Sequence, residues 1–272
     1  MAARAPAPGV APDAPPEPAA YDWPQIAEQL TALLRLQATP IGLQLCETVA
    51  EMEAVPRVRR PDRKYALDQI MGQARWLNRT IGVTAADLIG VQCAAPVGLA
   101  PSDQRFRTST ALAGVWFETE ADAIAHQQAM DCLPAGRYAA LVVSPLAMNR
   151  LPRPDLVLLY ATPGQMIILI NGLQFSGYKK FDFTCVGESA CADSWGRALR
   201  TGEPSVSIPC YAERRFGGVQ DNELLMALPP RYLPKAIDGM TRLSRNGLRY
   251  PIAPLGLESS PAESMARSYG NR

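Results

Sequence analysis

Apolar residues recur at helical spacing along several segments of the chain. In the first of these segments Ile26, Leu30 and Leu34 fall on one face of an amphipathic helix that starts near Trp23. Asp22 supplies an N-cap, and a proline follows in the first turn. The same periodicity predicts helices over residues 65–78, 119–132, 191–200, 222–228 and 233–243.

Short apolar runs between these helices predict a sheet. Residues 40–45 alternate apolar and polar side chains, as a half-buried strand does. Runs bounded by proline or glycine predict further strands over residues 138–143, 156–160, 165–170 and 206–209. Because helices and strands do not alternate regularly, the expected fold class is α+β, with a mixed central sheet and flanking helices.

The two ends of the chain differ in composition from its middle. Residues 1–20 consist mainly of alanine, proline and small polar residues, which bury too little apolar surface to offset the entropy of ordering. We therefore expect a disordered tail over residues 1–20, one α+β domain over residues 21–254, and a loose C-terminal tail over residues 255–272.

Charge and hydropathy exclude two classes of partner. Lys and Arg number 27 against 26 Asp and Glu, and no basic stripe alternates with aromatic residues, so nucleic acid is not expected as a partner. The longest apolar runs have six residues, far below the roughly 20 that cross a bilayer. Prolines interrupt every N-terminal stretch that would serve as a secretory signal. We expect a cytoplasmic protein.

Common catalytic motifs are absent. A single histidine, His126, rules out a multi-histidine zinc site, and its position on a predicted helix favours a structural role. The chain contains neither a GxxxxGK[ST] loop nor a GxGxxG turn after a strand. Nucleotide chemistry by these routes is therefore not expected.

Chemistry-bearing residues concentrate in the segment 184–193 and at Cys210. If Cys191 lies in the first turn of a helix, the helix dipole favours its thiolate, which is how reactive cysteines acquire a lowered pKa. Small buried core cysteines are the alternative. Polar neighbours that a plain core would not need keep the reactive interpretation open beside this alternative; they are Glu188, Ser189 and Asp193.

Two groups of basic residues could hold an anion. Arg214 and Arg215 precede a glycine pair, a composition suited to a carboxylate or phosphate. The alternative is a loop in which these arginines pair with Asp221 and Glu223. Residues 57–64 carry four arginines and a lysine around two prolines, which is typical of a solvated loop, with anion binding as the alternative.

The cysteines also admit a metal-binding interpretation. Six cysteines in a large chain without a secretory signal are expected to be thiols or metal ligands rather than a disulfide framework. Cys93, Cys185, Cys191 and Cys210 suffice in number for an iron-sulfur cluster or a four-thiolate site. Their spacing contains no CxxC pair, so this interpretation depends on the count alone.

Several of these motifs together resemble a known family. They are Cys185-x-Gly-x-Ser-x-Cys191-Ala-Asp, Thr201-Gly202-Glu203 and Ser207-Ile208-Pro209-Cys210, with Pro40-Ile41-Gly42 and Arg249-Tyr250-Pro251. Over residues 22–254 the chain is similar to the domain of unknown function 169. The resemblance implies a prokaryotic cytoplasmic protein, and it transfers no catalytic residue and no reaction.

These observations lead to one main functional hypothesis. We expect an enzyme of small-molecule catabolism that acts on an anionic carbonyl or carboxylic acid, with aromatic acids among the candidates. Cys191 or Cys210 would be the nucleophile or acid/base thiol, and Glu188 or Asp193 its proton partner. Substrate binding would fall to Ser189, Arg214 and Arg215.

Two other classes of function stay open at this point. The first is an iron-sulfur or metal-binding accessory protein that uses the four cysteines. The second is a non-catalytic protein that binds a small anionic ligand. A homo-oligomer is compatible with each.

Overall fold

The computed structural model describes residues 21–260. The predicted disordered tail over residues 1–20 and most of the predicted C-terminal tail lie outside this range. The described helices are α1 (Trp23–Leu34), α2 (Val49–Glu53), α3 (Leu67–Leu77), α4 (Gln104–Arg107), α5 (Glu120–Ala129), α6 (Pro163–Gln174), α7 (Arg197–Thr201), α8 (Tyr211–Gly217) and α9 (Leu233–Arg245). The strands are β1 (Ile41–Cys46), β2 (Ile81–Val83), β3 (Ala140–Pro145), β4 (Leu156–Ala161), β5 (Ser205–Ser207) and β6 (Leu224–Leu228).

The six strands form one sheet in the order β2-β3-β1-β4-β6-β5. Each pairing between neighbouring strands is antiparallel. The α+β class with flanking helices is therefore confirmed, but the sheet is antiparallel where a mixed sheet was predicted. The longest ladder joins β1 to β3 over six residue pairs, from Ile41–Pro145 to Cys46–Ala140.

Alternate side chains of the central strands enter two separate cores. In β4, Leu156, Leu158 and Tyr160 face one core, which also contains α3 and the segment before α7. Val157 and Leu159 face the other, which contains α1, α6 and α9. Helices thus cover both faces of the sheet, and the face that carries Tyr160 is the one that carries the candidate site.

Helix α1 shows how local sequence sets an element boundary. The Asp22 carboxylate accepts a hydrogen bond from the Gln25 N–H at 3.0 Å and caps the first turn. Arg35 ends the helix in the left-handed conformation at φ 49°. Leu30 and Leu34 are fully buried against the sheet, as the predicted apolar face requires.

Two predicted elements are wrong. Residues 165–170 were expected as a strand but lie in α6, where Thr162 and Gln165 exchange reciprocal capping bonds around Pro163. Residues 222–228 were expected as a helix, but 224–228 form β6 between β4 and β5. Both segments are largely buried, and a continuous apolar run does not distinguish a helix from a strand.

Across residues 21–260, none of the helices has both the length and the apolar character that a bilayer crossing demands.

Candidate active site

Two carboxyl groups and three thiols converge on the Tyr160 face of the sheet. We call this group the carboxyl-thiol cluster; it consists of Asp68, Cys93, Cys191, Cys210 and Glu213. Asp68 is 2% exposed and Glu213 is 1% exposed. Cys191 and Cys210 are also buried, whereas Cys93 is half-buried. Isolated buried carboxyl groups are costly, so their pairing here requires an explanation beyond core packing.

Close contact between α3 and α8 brings the two carboxyl groups together. Asp68 lies in the first turn of α3 and Glu213 in the first turn of α8. A Cβ at Gly72 would lie 2.6 Å from the Gly217 carbonyl oxygen, so the two backbones meet where neither residue has a side chain. The Glu213 carboxyl accepts the Cys210 N–H at 3.0 Å, which fixes its position.

Burial raises the pKa of both carboxyl groups. For Asp68 desolvation is the main cause, partly offset by a hydrogen bond from Cys93, and the pKa rises to about 6. For Glu213 desolvation and then the charge of Asp68 raise the pKa to about 8. One oxygen of Glu213, Oε1, has no hydrogen-bond partner among the described residues. Near neutral pH the pair therefore holds a proton that neither group holds in water.

The thiols of the cluster are neutral rather than activated. The Cys93 thiol lies 3.6 Å from Asp68 Oδ2. Cys191 directly precedes a π-helical turn, Ala192–Gly196, as the predicted first-turn position requires. The neighbouring Cys93 thiol lowers the pKa of Cys191, but desolvation and the Asp68 charge outweigh it and raise that pKa to about 12. Desolvation and then the Glu213 charge raise the pKa of Cys210 as well. The expected lowering of the Cys191 pKa is therefore wrong, because burial outweighs the helix terminus.

Asp193 holds the shape of the loop before Cys191. Its two carboxylate oxygens accept the Thr184 hydroxyl and the Val186 N–H, each at 2.8 Å. Its carbonyl oxygen accepts the Ser205 hydroxyl at 2.6 Å. Since both carboxylate oxygens are engaged, Asp193 is a positioning residue in this geometry.

Glu188 connects this loop to the cluster. Its carboxylate accepts the Ser189 hydroxyl at 2.8 Å, and Ser189 adopts the left-handed conformation at φ 60°. The Glu188 charge contributes to the raised pKa of both Asp68 and Glu213. A serine in this backbone region is uncommon, and such strain concentrates at functional sites.

An aromatic loop, residues 109–118, lies beside the cluster. Trp116 meets the Tyr211 ring edge-on at 5.6 Å between ring centres, and Phe117 contacts His126 at 4.9 Å. His126 Nε2 is 2.8 Å from the Glu188 carbonyl oxygen. Trp116 is 43% exposed and Tyr211 61% exposed, so two large rings stand in solvent next to Cys210 and Glu213. The structural role expected of His126 stays a prediction.

Family membership follows from a match over most of the chain. A family model described as uncharacterised ArCR, DUF169, matches residues 29–239. The chain belongs to the DUF169 family. Comparison with curated proteins and with solved structures gave no match. Every member of the carboxyl-thiol cluster lies within the matched DUF169 range.

The two arginines predicted to bind substrate have different environments in this DUF169 protein. Arg214 donates through Nε to the Pro209 carbonyl at 3.1 Å and also bonds the Gln220 carbonyl. It pairs with Asp221 at 3.9 Å, which is the alternative that the sequence left open. Arg215 is exposed and has no ion pair among the described residues. Arg215 is thus the one of the two that is available for an anion.

The four cysteines of the metal-binding interpretation do not share one environment. Cys93, Cys191 and Cys210 interact electrostatically within the cluster, whereas Cys185 is exposed on the preceding loop. Within residues 21–260, no group of three or more His, Cys, Asp or Glu side chains has an arrangement that could hold a metal ion.

Sequence reasoning missed the two carboxyl groups of the cluster. Asp68 lies between apolar Leu67 and Ile70 on the predicted 65–78 helix, and an acidic residue on a buried helix face is a usable signal. Glu213 follows Cys210 by three positions, which is capping-box spacing. Neither signal indicates that the two groups meet, because that depends on the docking of α8 on α3.

Proposed function

We propose that this DUF169 protein is an enzyme of small-molecule catabolism, and that the carboxyl-thiol cluster is its acid/base centre. The observation that carries the proposal is the pair Asp68 and Glu213, two buried carboxyl groups whose pKa values are raised to about 6 and about 8. Strongly shifted pKa values of this kind are concentrated at catalytic sites. The unpartnered Oε1 of Glu213 supplies an atom that can meet a substrate.

The pair supports acid and base roles near neutral pH. Glu213, with the higher pKa, keeps its proton and acts as the general acid, while Asp68, largely ionised, acts as the base. Because the two charges repel, the proton belongs to the pair as much as to either residue. The substrate class that we propose is a small carbonyl or carboxylic acid, whose proton transfers at carbon or oxygen need such a pair.

Cys93 is the thiol best placed to take part. It is the half-buried member of the cluster and lies 3.6 Å from an oxygen of Asp68, which can accept its proton as it attacks a carbonyl carbon. Cys191 and Cys210 were the predicted nucleophiles. Their burial favours instead a role as neutral hydrogen-bond donors beside the carboxyl groups.

Asp68 and Glu213 are buried, so substrate entry requires a movement, and we propose that the aromatic loop is the element that moves. The pairs Trp116–Tyr211 and Phe117–His126 connect residues 109–118 to the elements around the cluster. Opening of the loop would admit a small molecule, and closing would exclude water from the acid/base pair. Arg215 offers an exposed positive charge on α8 for the anionic end of the substrate.

A metal or iron-sulfur accessory role is an alternative proposal that depends on the number of cysteines alone, because no group of three or more ligand side chains within residues 21–260 is arranged to hold a metal ion. A protein that binds a small anion without chemistry is the other alternative. The free cysteines fit a reducing compartment, so we propose the cytoplasm as the location. None of these proposals depends on the oligomeric state of the protein.

The test is a turnover screen of the full chain against small keto acids, hydroxy acids and aromatic carboxylic acids, with product detection by mass spectrometry. We expect one class to be converted, and Asp68→Asn and Glu213→Gln each to lower kcat by about 10²–10⁴-fold. Cys132→Ser is the control for Cys93→Ser, because Cys132 lies outside the cluster in a smaller core.

Thermal stabilisation by a ligand without turnover would favour the binding protein. Stoichiometric iron and acid-labile sulfide in protein purified without oxygen would replace the acid/base proposal with the metal one.

A further inference from the structure

A cavity at the far end of α3 is surrounded by arginine side chains. It has a volume of about 200 Å³, and it is lined by Arg57, Arg59, Arg79 and Arg150 with Leu77, Asn78 and Thr80. No acidic residue is part of this lining. The whole chain carries a net charge of only +1, so the four positive charges reflect local placement rather than a basic protein. We call this the arginine cavity.

Three segments that are distant in sequence build the arginine cavity. Arg57 and Arg59 follow α2, Arg79 follows the end of α3, and Arg150 follows β3. The Arg59 N–H donates to the Thr80 carbonyl at 3.0 Å, and the Gly82 N–H donates back to the Arg59 carbonyl at 2.9 Å. The basic loop is thereby fixed to the edge strand β2.

Buried polar groups hold the floor of the cavity. Arg150 donates to the Thr80 hydroxyl at 2.9 Å. Thr80 is 1% exposed, and its hydroxyl is 2.7 Å from that of Ser144. Arg57 is held at φ 57° and Asn78 at φ 51°, both in the left-handed region. Asn78 adopts this conformation as the C-cap of α3, where asparagine is common, whereas for Arg57 the conformation is unusual.

The arginines have little compensating negative charge within the described residues, where Asp62 interacts electrostatically with Arg79 without forming an ion pair. Arg60, the next basic residue along, pairs with Asp87 at 2.5 Å, but no ion pair involves Arg57, Arg59, Arg79 or Arg150 in the part of the chain that the structure describes. Arg79 donates to the neutral Gln73 side chain at 3.0 Å. Four guanidinium groups around one cavity repel each other electrostatically. A bound anion would attract all four and offset that repulsion.

We infer that the arginine cavity is a binding site for the phosphate group of a small molecule. A single arginine suffices for a carboxylate through two parallel hydrogen bonds, whereas a phosphate dianion has enough charge and oxygens to engage several. The volume is below the roughly 300–1,000 Å³ of pockets for drug-sized ligands, so it suits inorganic phosphate or a compact phosphomonoester. The site is distinct from the carboxyl-thiol cluster, because Asp68 and Asn78 are separated by about 15 Å along α3.

Calorimetric titration of the full chain at low ionic strength tests this inference. The probes are inorganic phosphate, glycerol phosphate and, for comparison, acetate and a short single-stranded DNA. We expect a phosphate probe to bind with one site per chain, more tightly than acetate, and more weakly as chloride is added. Free phosphate and phosphomonoester are distinguished by which of the two binds more tightly.

Paired variants decide where the phosphate binds. Arg57→Gln with Arg59→Gln should weaken binding about tenfold or more. Arg105→Gln with Arg245→Gln removes the same two charges from exposed positions on α4 and α9 and should leave binding unchanged. Thermal denaturation without phosphate checks that the variants fold. Three results would each overturn the inference: no binding of either phosphate probe, equal binding by the double variant, or a preference for the DNA over both phosphates.

Discussion

The Cys93 thiol lies 3.6 Å from Oδ2 of Asp68, although the two residues are 25 positions apart in the chain. The contact joins the half-buried member of the cluster to a carboxyl group that is closed off from water. It also opposes the effect of burial, because a hydrogen bond to the ionised form lowers the Asp68 pKa while desolvation raises it. The pKa of Asp68 rises to about 6 and that of Glu213 to about 8.

The Glu213 carboxyl should make the protein less stable as the pH rises. Its pKa is 4.5 in the unfolded chain and about 8 in the folded protein, so the folded state keeps a proton that the unfolded state has released. The free energy of unfolding therefore falls between about pH 4.5 and pH 8, by on the order of 1.4 kcal/mol per pKa unit.

Glu213→Gln should flatten this part of the stability curve and raise stability at pH 8–9, because the amide is neutral and still accepts the Cys210 N–H. Urea denaturation across the pH range is the measurement. Glu28→Gln on the exposed side of α1 is the matched control and should follow the wild type. An unchanged slope in Glu213→Gln would show that this carboxyl is ionised in the folded state.

Gly72→Ala should disturb the contact between α3 and α8. The added Cβ would lie 2.6 Å from the Gly217 carbonyl oxygen, a backbone atom that cannot rotate away. We expect a loss of roughly 1–3 kcal/mol in the free energy of unfolding and a smaller coupling between Asp68 and Glu213. Gly164→Ala is the control, because its Cβ would meet Tyr250 at 3.4 Å, an ordinary contact. Equal stabilities for the two variants would mean that the helices are not in close contact at Gly72.

Alkylation by iodoacetamide should follow exposure. Cys185 should react first, Cys93 and Cys132 more slowly, and Cys46, Cys191 and Cys210 only after unfolding. Peptide mass spectrometry of samples quenched over time gives the order. Modification of Cys191 or Cys210 as fast as Cys185 would instead show an activated thiolate there, as the sequence predicted.

Sequence patterns predicted the framework of this site better than its chemistry. The helix over residues 65–78 is present as α3, and the segment 191–200 is helical apart from its π turn. The reactivity predicted for Cys191 depended on its helix position and its polar neighbours in sequence, whereas its pKa depends also on burial by neighbouring elements. Asp68 and Glu213 are 145 positions apart, and the docking of α8 on α3, with a close approach at Gly72 and Gly217, brings them together.

The buried Glu223 carboxylate should be sensitive to the loss of its partner, Arg75. The Arg75 guanidinium forms a buried ion pair with Glu223 and lies 4.3 Å from the ring centres of both Trp76 and Tyr160. Arg75→Met leaves the Glu223 charge buried and should cost about 3–5 kcal/mol. Arg75→Met with Glu223→Leu should recover a large part of that loss, since no charge is then left unpaired. Guanidinium denaturation of the three proteins checks this, and a double variant no more stable than Arg75→Met would contradict it.

The most direct measurement of the central claim is infrared difference spectroscopy of the carboxyl groups in wild type against Glu213→Gln and Asp68→Asn. The protonated C=O band assigned to Glu213 should persist at pH 7 and disappear around pH 8, and the Asp68 band should disappear around pH 6. Loss of both bands by about pH 5, near ordinary carboxyl values, would contradict the account, because no acid/base pair would then be present at neutral pH.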